Sequence, residues 1–344
     1  MPDKIDALLV ERDSAPDIAA AKSPHTRATL RTCVRYLMPV LSVVVPVYYN
    51  EGSLLALHDR LQALETRLAV KQVRLELIFV DDGSGDGSYA ALQAIKTARP
   101  ATRLVKLSRN FGVIAALKVG FAQVTGNACV TLAADLQDPP EVVDEMVDAW
   151  LAGSKFVICE RVSRDDPLLS RLYSSLYYRL VRGMVVSNYP TGGFDLSLMD
   201  KALLPYLIDS AKSTYTPLLA YWLGYKPTVI KYHREPRAHG KSRWTFGKKL
   251  NACMDVIIGF SATPIRAMSM LGAVVAVLSF AYGTSVVLWA LLVERAMPGF
   301  ATLVALVTFL LGLILLMLGV IGEYLWRMWA ELNRRPDAVI ERIE

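Results

Sequence analysis

Residues 131–141 read TLAADLQDPPE, an apolar segment that ends abruptly in two aspartates, a glutamine and two prolines. The apolar run 128–134 is typical of a buried strand. Pro139 and Pro140 cannot continue a strand, but they fit the first turn of a helix. Because ligands of parallel α/β sheets bind beyond the carboxyl ends of the strands, this segment predicts a ligand-binding loop between a strand and a helix.

Asp135 and Gln137 are the candidate metal ligands of this loop. In an extended chain, residues two apart face the same side, so a carboxylate and an amide oxygen would point into one pocket. Oxygen ligands of this kind suit a hard divalent cation. Asp138 precedes Pro139 and fits the N-cap of the following helix, so we assign Asp138 to capping and Asp135 to chemistry.

Working outward, strands and helices alternate along the chain. The pattern predicts strands at 41–46, 75–80, 103–107, 128–134 and 156–159, and helices at 52–69, 89–98, 114–124 and from Pro139 to residue 151. The first helix carries five leucines on one face, at Leu54, Leu57, Leu61, Leu64 and Leu68. This order predicts an α/β fold with a mainly parallel sheet between helices, and polar loops 47–51, 81–87, 108–112 and 135–138 on one rim.

The loop DDGSGDGS at 81–88 is rich in glycine and acidic residues. It can turn tightly and offer backbone N–H groups and carboxylates to a ribose, a base or a metal. Calcium binding is the alternative, but the twelve-residue calcium loop with its closing Glu is absent, as are GxGxxG and the P-loop.

Two long apolar stretches near the C-terminus account for the high apolar fraction of 53% and the mean hydropathy of +0.33. Residues 267–293 and 296–322 contain no charged side chain, and each exceeds the ~20 residues that cross a bilayer. The short link between them predicts a transmembrane hairpin. Basic residues flank the pair and only Arg295 lies in the turn, so both termini and the large N-terminal part are predicted on the cytoplasmic face of the cytoplasmic (inner) membrane.

The remaining composition narrows the class of protein. The net charge of +6 and pI near 9.0 come from basic residues in the membrane-proximal half, which suits lipid headgroups or phosphates, and no nucleic-acid motif accompanies them. The start of the chain lacks the pattern of a cleavable signal and is predicted to be a flexible extension. Four cysteines lack metal-ligand spacing and indicate neither a disulfide nor a zinc site: Cys33, Cys129, Cys159 and Cys253.

Five motifs in order carry a resemblance to a known family. They are VPVYYNE at 45–51, VDDGSGDGS at 80–88, LSRNFG at 107–112, AADLQDPPE at 133–141 and HGKSRW at 239–244. The chain resembles family 2 glycosyltransferases. With the hairpin and the closing GEYLWR and NRRP, it is similar to the polyprenyl-phosphate branch, which includes dolichol-phosphate mannose synthase and bacterial undecaprenyl-phosphate sugar transferases. The resemblance implies a GT-A fold, a nucleotide-sugar donor, Mg²⁺ or Mn²⁺, and inversion at the anomeric carbon.

For the donor and the metal, the resemblance assigns residues motif by motif. Asp81 or Asp82 would accept hydrogen bonds from the base or ribose, and Asp135 and Gln137 match the metal-binding end of DxDxQ. Ala133 stands where the family commonly has an Asp, so a metal-independent variant stays open. The nucleotide pocket would be lined by Pro46, Tyr48, Asn50 and Glu51.

For the acceptor, the resemblance points to TGGFDLSLMD at 191–200, where the family often has GDF and this chain has Gly193 for the Asp. Asp195 is expected to orient the acceptor, or else to be a turn residue. A phosphate monoester has a second pKa of about 6, so it needs little help from a base near neutral pH. Arg161 and Arg164 would grip the acceptor phosphate.

Two amphipathic segments and one basic segment adjoin these motifs. Segment 170–186 is predicted to lie along the bilayer surface and carries Arg179, a further candidate for the acceptor phosphate. Segment 250–260 either does the same or packs against the hairpin. The basic segment matches the family pattern R-x-x-G-x-S-K, with Arg243 in place of the Lys. It is predicted to fold over the donor diphosphate and to contact it through Arg237, Ser242 and Arg243. The alternative is a basic patch held against the membrane.

The predicted organisation is an extension (1–38), a GT-A domain (39–245), an interface helix (246–263), two transmembrane helices (264–326) and a cytoplasmic tail (327–344). The leading hypothesis is an inverting transferase that moves a sugar, expected to be UDP-linked, to a polyprenyl phosphate. A processive polysaccharide synthase is weaker, because Gly240 replaces the Gln of QxxRW. A catalytically silent sugar-nucleotide binding protein is the third hypothesis. Besides the donor, the lipid acceptor and membrane lipids, a second copy of the chain is a candidate partner.

Overall fold

The computed structural model describes residues 38–161, 168–187, 189–190, 193–211, 214, 216–234, 246–293, 299–333 and 335–344. Its strands are β1 (Val40–Val47), β2 (Arg74–Asp81), β3 (Arg103–Leu107), β4 (Ala128–Thr131), β5 (Phe156–Arg161), β6 (Phe194–Asp200), β7 (Thr228–Tyr232) and β8 (Ile340–Ile343). Its helices are α1 (Glu51–Val70), α2 (Ser88–Ala98), α3 (Val113–Ala122), α4 (Val142–Leu151), α5 (Leu168–Met184), α6 (Leu204–Ile208), α7 (Thr216–Trp222), α8 (Phe246–Phe260), α9 (Thr263–Val293) and α10 (Phe300–Leu332).

All eight strands form one sheet in the order β7-β5-β6-β4-β1-β2-β3-β8. The predicted α/β fold with a mainly parallel sheet is confirmed: β4, β1, β2 and β3 are parallel neighbours, and β5 pairs with β7 in parallel. β6 runs antiparallel to both β4 and β5, and β8 is antiparallel to β3.

These directions decide which residues share a rim. Since β6 opposes both β4 and β5, strands β5 and β7 point the same way as β4. The carboxyl ends of β1 to β5 and of β7, together with the start of β6, therefore lie along one edge of the sheet. This rim collects the ligand loops predicted from the sequence, as parallel sheets generally do.

A hydrophobic core covers each face of the sheet. The predicted leucine face of α1 is confirmed, since its five leucines are fully buried against the sheet with residues of α2 and α4. The other face is covered by α3, α5, α6, α7 and α8. Cys129, Cys159 and Cys253 are buried, as expected for small apolar residues.

Strand β4 ends earlier than predicted. Its last backbone bond to β1 runs from Leu132 N–H to Val44 O (3.0 Å), and the chain then turns through residues 134–138. The apolar run continues to Ala134 because those side chains are still buried, although the ladder has ended. Strands β6, β7 and β8 were not predicted from the sequence.

Helices α9 and α10 contain the two apolar stretches. Thr263–Ser285 (23 residues) and Phe309–Leu332 (24 residues) are long and apolar enough to cross a membrane, and neither is buried within the protein. The link at 294–298, including the predicted start of the second stretch, lies outside the described residues.

Helix α8 packs between the α/β domain and α10. Its Val256 is 3% exposed within the core, and Asp255 pairs with Arg327 of α10 (Oδ1 to Nη2, 2.8 Å). The Tyr324 hydroxyl donates to Ser261 O at 3.1 Å. For segment 250–260, these contacts favour packing against the hairpin.

After α10 the chain returns to the sheet, so the predicted tail contains a strand. β8 pairs with β3, and Leu104 and Glu344 exchange backbone hydrogen bonds of 2.9 and 2.8 Å. Asp337 also forms an ion pair with Lys118 of α3 (Oδ2 to Nζ, 2.9 Å), whose side chain is only 5% exposed. The two ends of the helical pair are thus both attached to the same domain.

Candidate active site

The loops after β1 and β2 are joined by hydrogen bonds. Asn50 N–H donates to Ser88 Oγ (2.8 Å), Tyr49 N–H donates to Ser84 Oγ (3.1 Å), and Glu51 Oε2 accepts from Gly87 N–H (3.0 Å). Asn50 Oδ1 also accepts from Tyr48 N–H at 2.9 Å. Asn50 and Glu51 therefore shape this part of the rim.

The other two predicted donor-binding residues of the first motif lie at the same place. Pro46 is in β1 opposite Val80, and Tyr48 follows the strand; both are half-buried. Their contact with a nucleotide stays a prediction.

The structure separates the roles of Asp81 and Asp82. Asp82 is satisfied within the protein: it accepts from Phe111 N–H (2.7 Å), Gly112 N–H (2.9 Å) and Asn110 Nδ2 (3.0 Å). It therefore braces the loop after β3.

Asp81, by contrast, holds an unused buried acceptor. Its Oδ1 accepts from Ser84 N–H at 3.3 Å, whereas its buried Oδ2 has no hydrogen-bond partner among the described residues. Burial raises the pKa of Asp81 above its ordinary value. An N–H or O–H group of a ligand would satisfy this oxygen, so Asp81 is the better candidate for the base or ribose.

The loop after β4 holds the predicted metal ligands, but its geometry is a turn. Leu136 has φ +60°, and Gln137 N–H donates to Asp135 Oδ1 at 3.3 Å. Residues 134–138 are therefore not extended, contrary to the prediction that placed Asp135 and Gln137 on one side of an extended segment. A buried leucine in the left-handed region costs about 1–3 kcal/mol, a strain that functional loops commonly carry.

The oxygen atoms of this loop fit a divalent cation that is completed by a substrate. No cluster of three or more acidic, histidine or cysteine side chains suited to a metal exists in the described part of the chain. Mg²⁺ is commonly bound through one or two carboxylates plus substrate phosphates and water. Asp135 with Gln137 supplies a donor set of that kind.

Asp138 is not the predicted helix cap. Helix α4 begins after Glu141, and no side chain caps it. Asp138 is 2% exposed and accepts instead from the Tyr232 hydroxyl (2.5 Å), with Arg234 Nε at 3.5 Å from the same Oδ1. Contacts with Tyr232 and Arg234, which are distant in sequence, therefore determine the position of Asp138 rather than local helix capping.

Arg161 ends β5 on this rim and faces Tyr232 across the parallel pair. Its guanidinium hydrogen-bonds to the Tyr232 hydroxyl. Burial alone would lower the pKa of Arg161, but Tyr232 and the charge of Asp138 outweigh burial and raise it. A fixed positive charge thus lies on the same rim as Asp135.

Gly193, where the family often has an Asp, lies immediately before β6 and has φ +64°. A Cβ added there would clash with the hydroxyl oxygen of Tyr178 on α5. The Tyr178 ring stacks on Tyr189 with ring centroids 6.0 Å apart. The tyrosine hydroxyl therefore fills the space in which an Asp side chain would begin.

Replacing Gly193 with Ala should destabilise the protein more than the same change at Gly153. Both positions have positive φ, which costs any non-glycine residue about 1–2 kcal/mol, but Gly153 has no atoms within 4 Å of an added Cβ. Displacing Tyr178 should add about 1–3 kcal/mol. Thermal unfolding of the two variants would measure this difference.

A double-variant cycle is the control for that prediction. The cost of Gly193→Ala should shrink when Tyr178→Ala is already present, because the clash is gone. Additive effects would contradict the proposed clash.

Several predicted site residues cannot be placed. Arg164 lies outside the described residues, as do Arg237, Ser242 and Arg243 of the basic segment. Asp195 lies in β6, and its side chain is outside the described part. Arg179 is exposed on α5, the helix that carries Tyr178.

Sequence reasoning missed Asn110, Tyr178 and Tyr232. Asn110 lies in the motif LSRNFG, for which the sequence alone indicates no binding or structural role. Tyr232 ends the run TVIKY, whose β-branched residues and following basic segment were a usable strand signal. Tyr178 lies in an amphipathic helix, and nothing in the sequence distinguishes it from the neighbouring residues.

The chain matches a family model and several known proteins. The family model described as "Glycosyl transferase family 2" matches residues 42–214. The uncharacterized glycosyltransferase sll0501 of Synechocystis sp. is 35% identical over 298 residues, covering 86% of this chain and 93% of that protein. The prophage bactoprenol glucosyl transferase homolog of Escherichia coli is 28% identical over 306 residues, covering 88% and 99%.

Among solved structures, mannosyl-3-phosphoglycerate synthase from Rubrobacter xylanophilus superposes with a TM-score of 0.45. It is 15% identical and covers 70% of this chain and 77% of that one, which is too distant to bear on the site.

The chain belongs to glycosyltransferase family 2. Its α/β domain is GT-A-like, with two further apolar helices toward the C-terminus.

Proposed function

We propose that the protein transfers a sugar, with inversion, from a nucleotide-sugar donor to a polyprenyl phosphate at the cytoplasmic face of a membrane. The donor is proposed to be UDP-linked. The protein is proposed to reside in the cytoplasmic (inner) membrane, with its α/β domain and both termini on the cytoplasmic side.

One observation carries this proposal: Asp135 and the half-buried cation Arg161 lie on one rim of a domain that is attached to both ends of an apolar helical pair. A transferase with a soluble acceptor needs no such pair. Several relatives are named for bactoprenol glucosyl transfer, among them the Escherichia coli protein. These names support a lipid-linked acceptor.

In the proposed reaction, a phosphate oxygen of the acceptor attacks the anomeric carbon of the sugar. A new C–O bond forms as the bond from that carbon to the diphosphate breaks, and the nucleoside diphosphate leaves. Near neutral pH the attacking phosphate is already mostly dianionic, so no strong base is required. Arg161 binds and orients that phosphate, and Asp195 is proposed to orient the acceptor.

The donor is proposed to bind along the loops after β1, β2 and β4. Asp81 accepts from the base or ribose, beside Pro46, Tyr48, Asn50 and Glu51. Asp135 and Gln137 would hold Mg²⁺ or Mn²⁺, which neutralises the diphosphate leaving group. The basic segment with Arg237, Ser242 and Arg243 is proposed to fold over the diphosphate.

The proposed membrane arrangement is supported by the helical pair and by strand β8. α9 and α10 leave the domain and the chain returns to pair with β3, so spanning helices would have both flanks on one side. The basic residues of those flanks favour the cytoplasmic side.

The test is sugar transfer by the purified full chain. The protein is incubated with undecaprenyl phosphate, Mg²⁺ or Mn²⁺, and a panel of radiolabelled UDP- and GDP-sugars. We expect labelled lipid with at least one UDP-sugar. No lipid should be labelled when undecaprenol, which lacks the phosphate group, replaces undecaprenyl phosphate. If no donor labels the lipid while UDP still binds, the function is that of a catalytically silent sugar-nucleotide binding protein, which Ala133 and Gly193 would then explain.

Asp81→Asn should weaken UDP binding by about 10- to 100-fold, because an amide nitrogen cannot accept the hydrogen bond that the free Oδ2 is proposed to receive. Calorimetric titration with UDP measures the effect. Asp59→Asn changes an exposed carboxylate of α1 and should leave the affinity unchanged. Equal affinities for the two variants would remove Asp81 from the donor site.

A further inference from the structure

The loop that carries the proposed metal ligands also contacts the strand that carries Tyr232. Asp138 is one residue after Gln137 but points into the protein, with 2% exposure. Its Oδ1 accepts from the Tyr232 hydroxyl at 2.5 Å, across 94 residues of sequence. The loop after β4 is therefore joined to the end of β7.

Tyr232 in turn lies beside Arg161. The two are register partners on the last paired positions of β5 and β7, and the guanidinium donates to the Tyr232 oxygen. The hydroxyl thus stands between a carboxylate and a guanidinium: it donates to one and accepts from the other. Because Tyr232 is 4% exposed, water does not readily replace either partner.

The protonation states fit this arrangement. Burial raises the pKa of Tyr232 well above its ordinary value, so the phenol keeps the proton that it donates to Asp138. Arg161 stays charged, since Tyr232 and Asp138 raise its pKa despite burial. The hydrogen bonds therefore run in one direction: Arg161 donates to Tyr232, and Tyr232 donates to Asp138.

We propose that Asp138 and Tyr232 are positioning residues that hold the Arg161 guanidinium for the phosphate of the lipid acceptor. This inference rests on the proposed function. A planar guanidinium binds a phosphate well only in a defined orientation. Tyr232 fixes that orientation through its hydrogen bond with the Arg161 guanidinium.

The same residues link the two substrates of the reaction. Asp138 belongs to the loop of Asp135 and Gln137, so the position of the acceptor cation is tied to the position of the donor cation site. Arg234, which follows β7, has its Nε 3.5 Å from the same carboxylate. The contacts of Asp138 would thus help to set the distance between the acceptor phosphate and the donor diphosphate.

The test uses Tyr232→Phe, which removes the hydroxyl and keeps the ring. Binding of undecaprenyl phosphate to the full chain in detergent should weaken by about 10- to 100-fold, by analogy with the loss of a group that orients a metal-binding side chain. UDP affinity should change less than twofold. Tyr89→Phe is the matched control: its hydroxyl donates to the Glu344 carboxylate (3.1 Å) far from the acceptor cation, so lipid affinity should be unchanged.

Two further variants distinguish positioning from a structural role. Asp138→Asn keeps an oxygen that accepts from Tyr232 and should retain more lipid affinity than Asp138→Ala. In an Arg161→Ala background, Tyr232→Phe should have little additional effect, since it acts through Arg161. Additive losses, or equal lipid affinity of Tyr232→Phe and Tyr89→Phe, would overturn the inference.

Failure of the inference is distinguishable from failure of the proposed function. A wild-type protein that binds undecaprenyl phosphate no better than undecaprenol overturns both. Lipid binding that depends on Tyr232, without sugar transfer from any donor, supports the positioning role and rejects the transferase reaction.

Discussion

Asp135→Asn should lower the rate of sugar transfer by about 1,000-fold, the effect of losing several kcal/mol of charge stabilisation at a leaving diphosphate. The substitution is close to isosteric, and the asparagine oxygen can still accept from Gln137 N–H, as Asp135 Oδ1 does at 3.3 Å. The turn at Leu136 should therefore persist. Only the negative charge that is proposed to hold the cation is removed.

The measurement is initial-rate transfer to undecaprenyl phosphate over a range of Mg²⁺ and Mn²⁺ concentrations, paired with UDP titrations with and without the metal. In the wild type the metal should strengthen UDP binding, and in Asp135→Asn that effect should vanish. Asp148→Asn, an exposed carboxylate on α4, should behave as wild type. Full activity of Asp135→Asn would refute the metal assignment.

Asp337→Ala should destabilise the protein by about 3 kcal/mol, which for a domain of this size lowers Tm by about 6–12 °C. Among the residues that the structure describes, the change leaves the Lys118 ammonium, 5% exposed, with only the carbonyl oxygens of Ser210 and Ala211. A buried charge that has lost its partner is costly because water cannot solvate it.

Glu341→Ala is the matched control in the same segment. Its ion pair with Lys106 (3.0 Å) is more exposed, at 28% and 46%, so its loss should cost less than about 1 kcal/mol. Adding Lys118→Met to Asp337→Ala should recover part of the loss, since it removes the unpaired charge. Equal Tm values for Asp337→Ala and Glu341→Ala would contradict the burial argument.

The regular part of the α/β domain was predictable because side-chain periodicity reports burial. The five leucines of α1 and the strands β1 to β3 lie where the apolar pattern places them. The same signal failed at β4, where Leu132 and Ala134 are buried beyond the end of the ladder. Apolar composition marks a buried side chain, whereas a strand ends where the backbone bonds end.

The site was only partly predictable because its contacts join distant parts of the chain. The motifs locate Asp81 and Asp135, since both follow recognisable strands. They cannot show that Asp138 prefers Tyr232, 94 residues away, to the helix that follows it. The open Oδ2 of Asp81 and the full set of partners of Asp82 are likewise properties of the folded loops.

Strand β8 has a consequence for biosynthesis. β3 is made early, yet its outer edge stays open until the chain has passed through both α9 and α10. With those helices in the membrane as proposed, β8 reaches β3 only if the hairpin has inserted with both flanks on one side. If only one of the two helices were inserted, β8 would lie on the opposite side of the membrane from β3. The edge of β3 would then stay open to aggregation or proteolysis. Completion of the sheet thus acts as a folding checkpoint on membrane insertion.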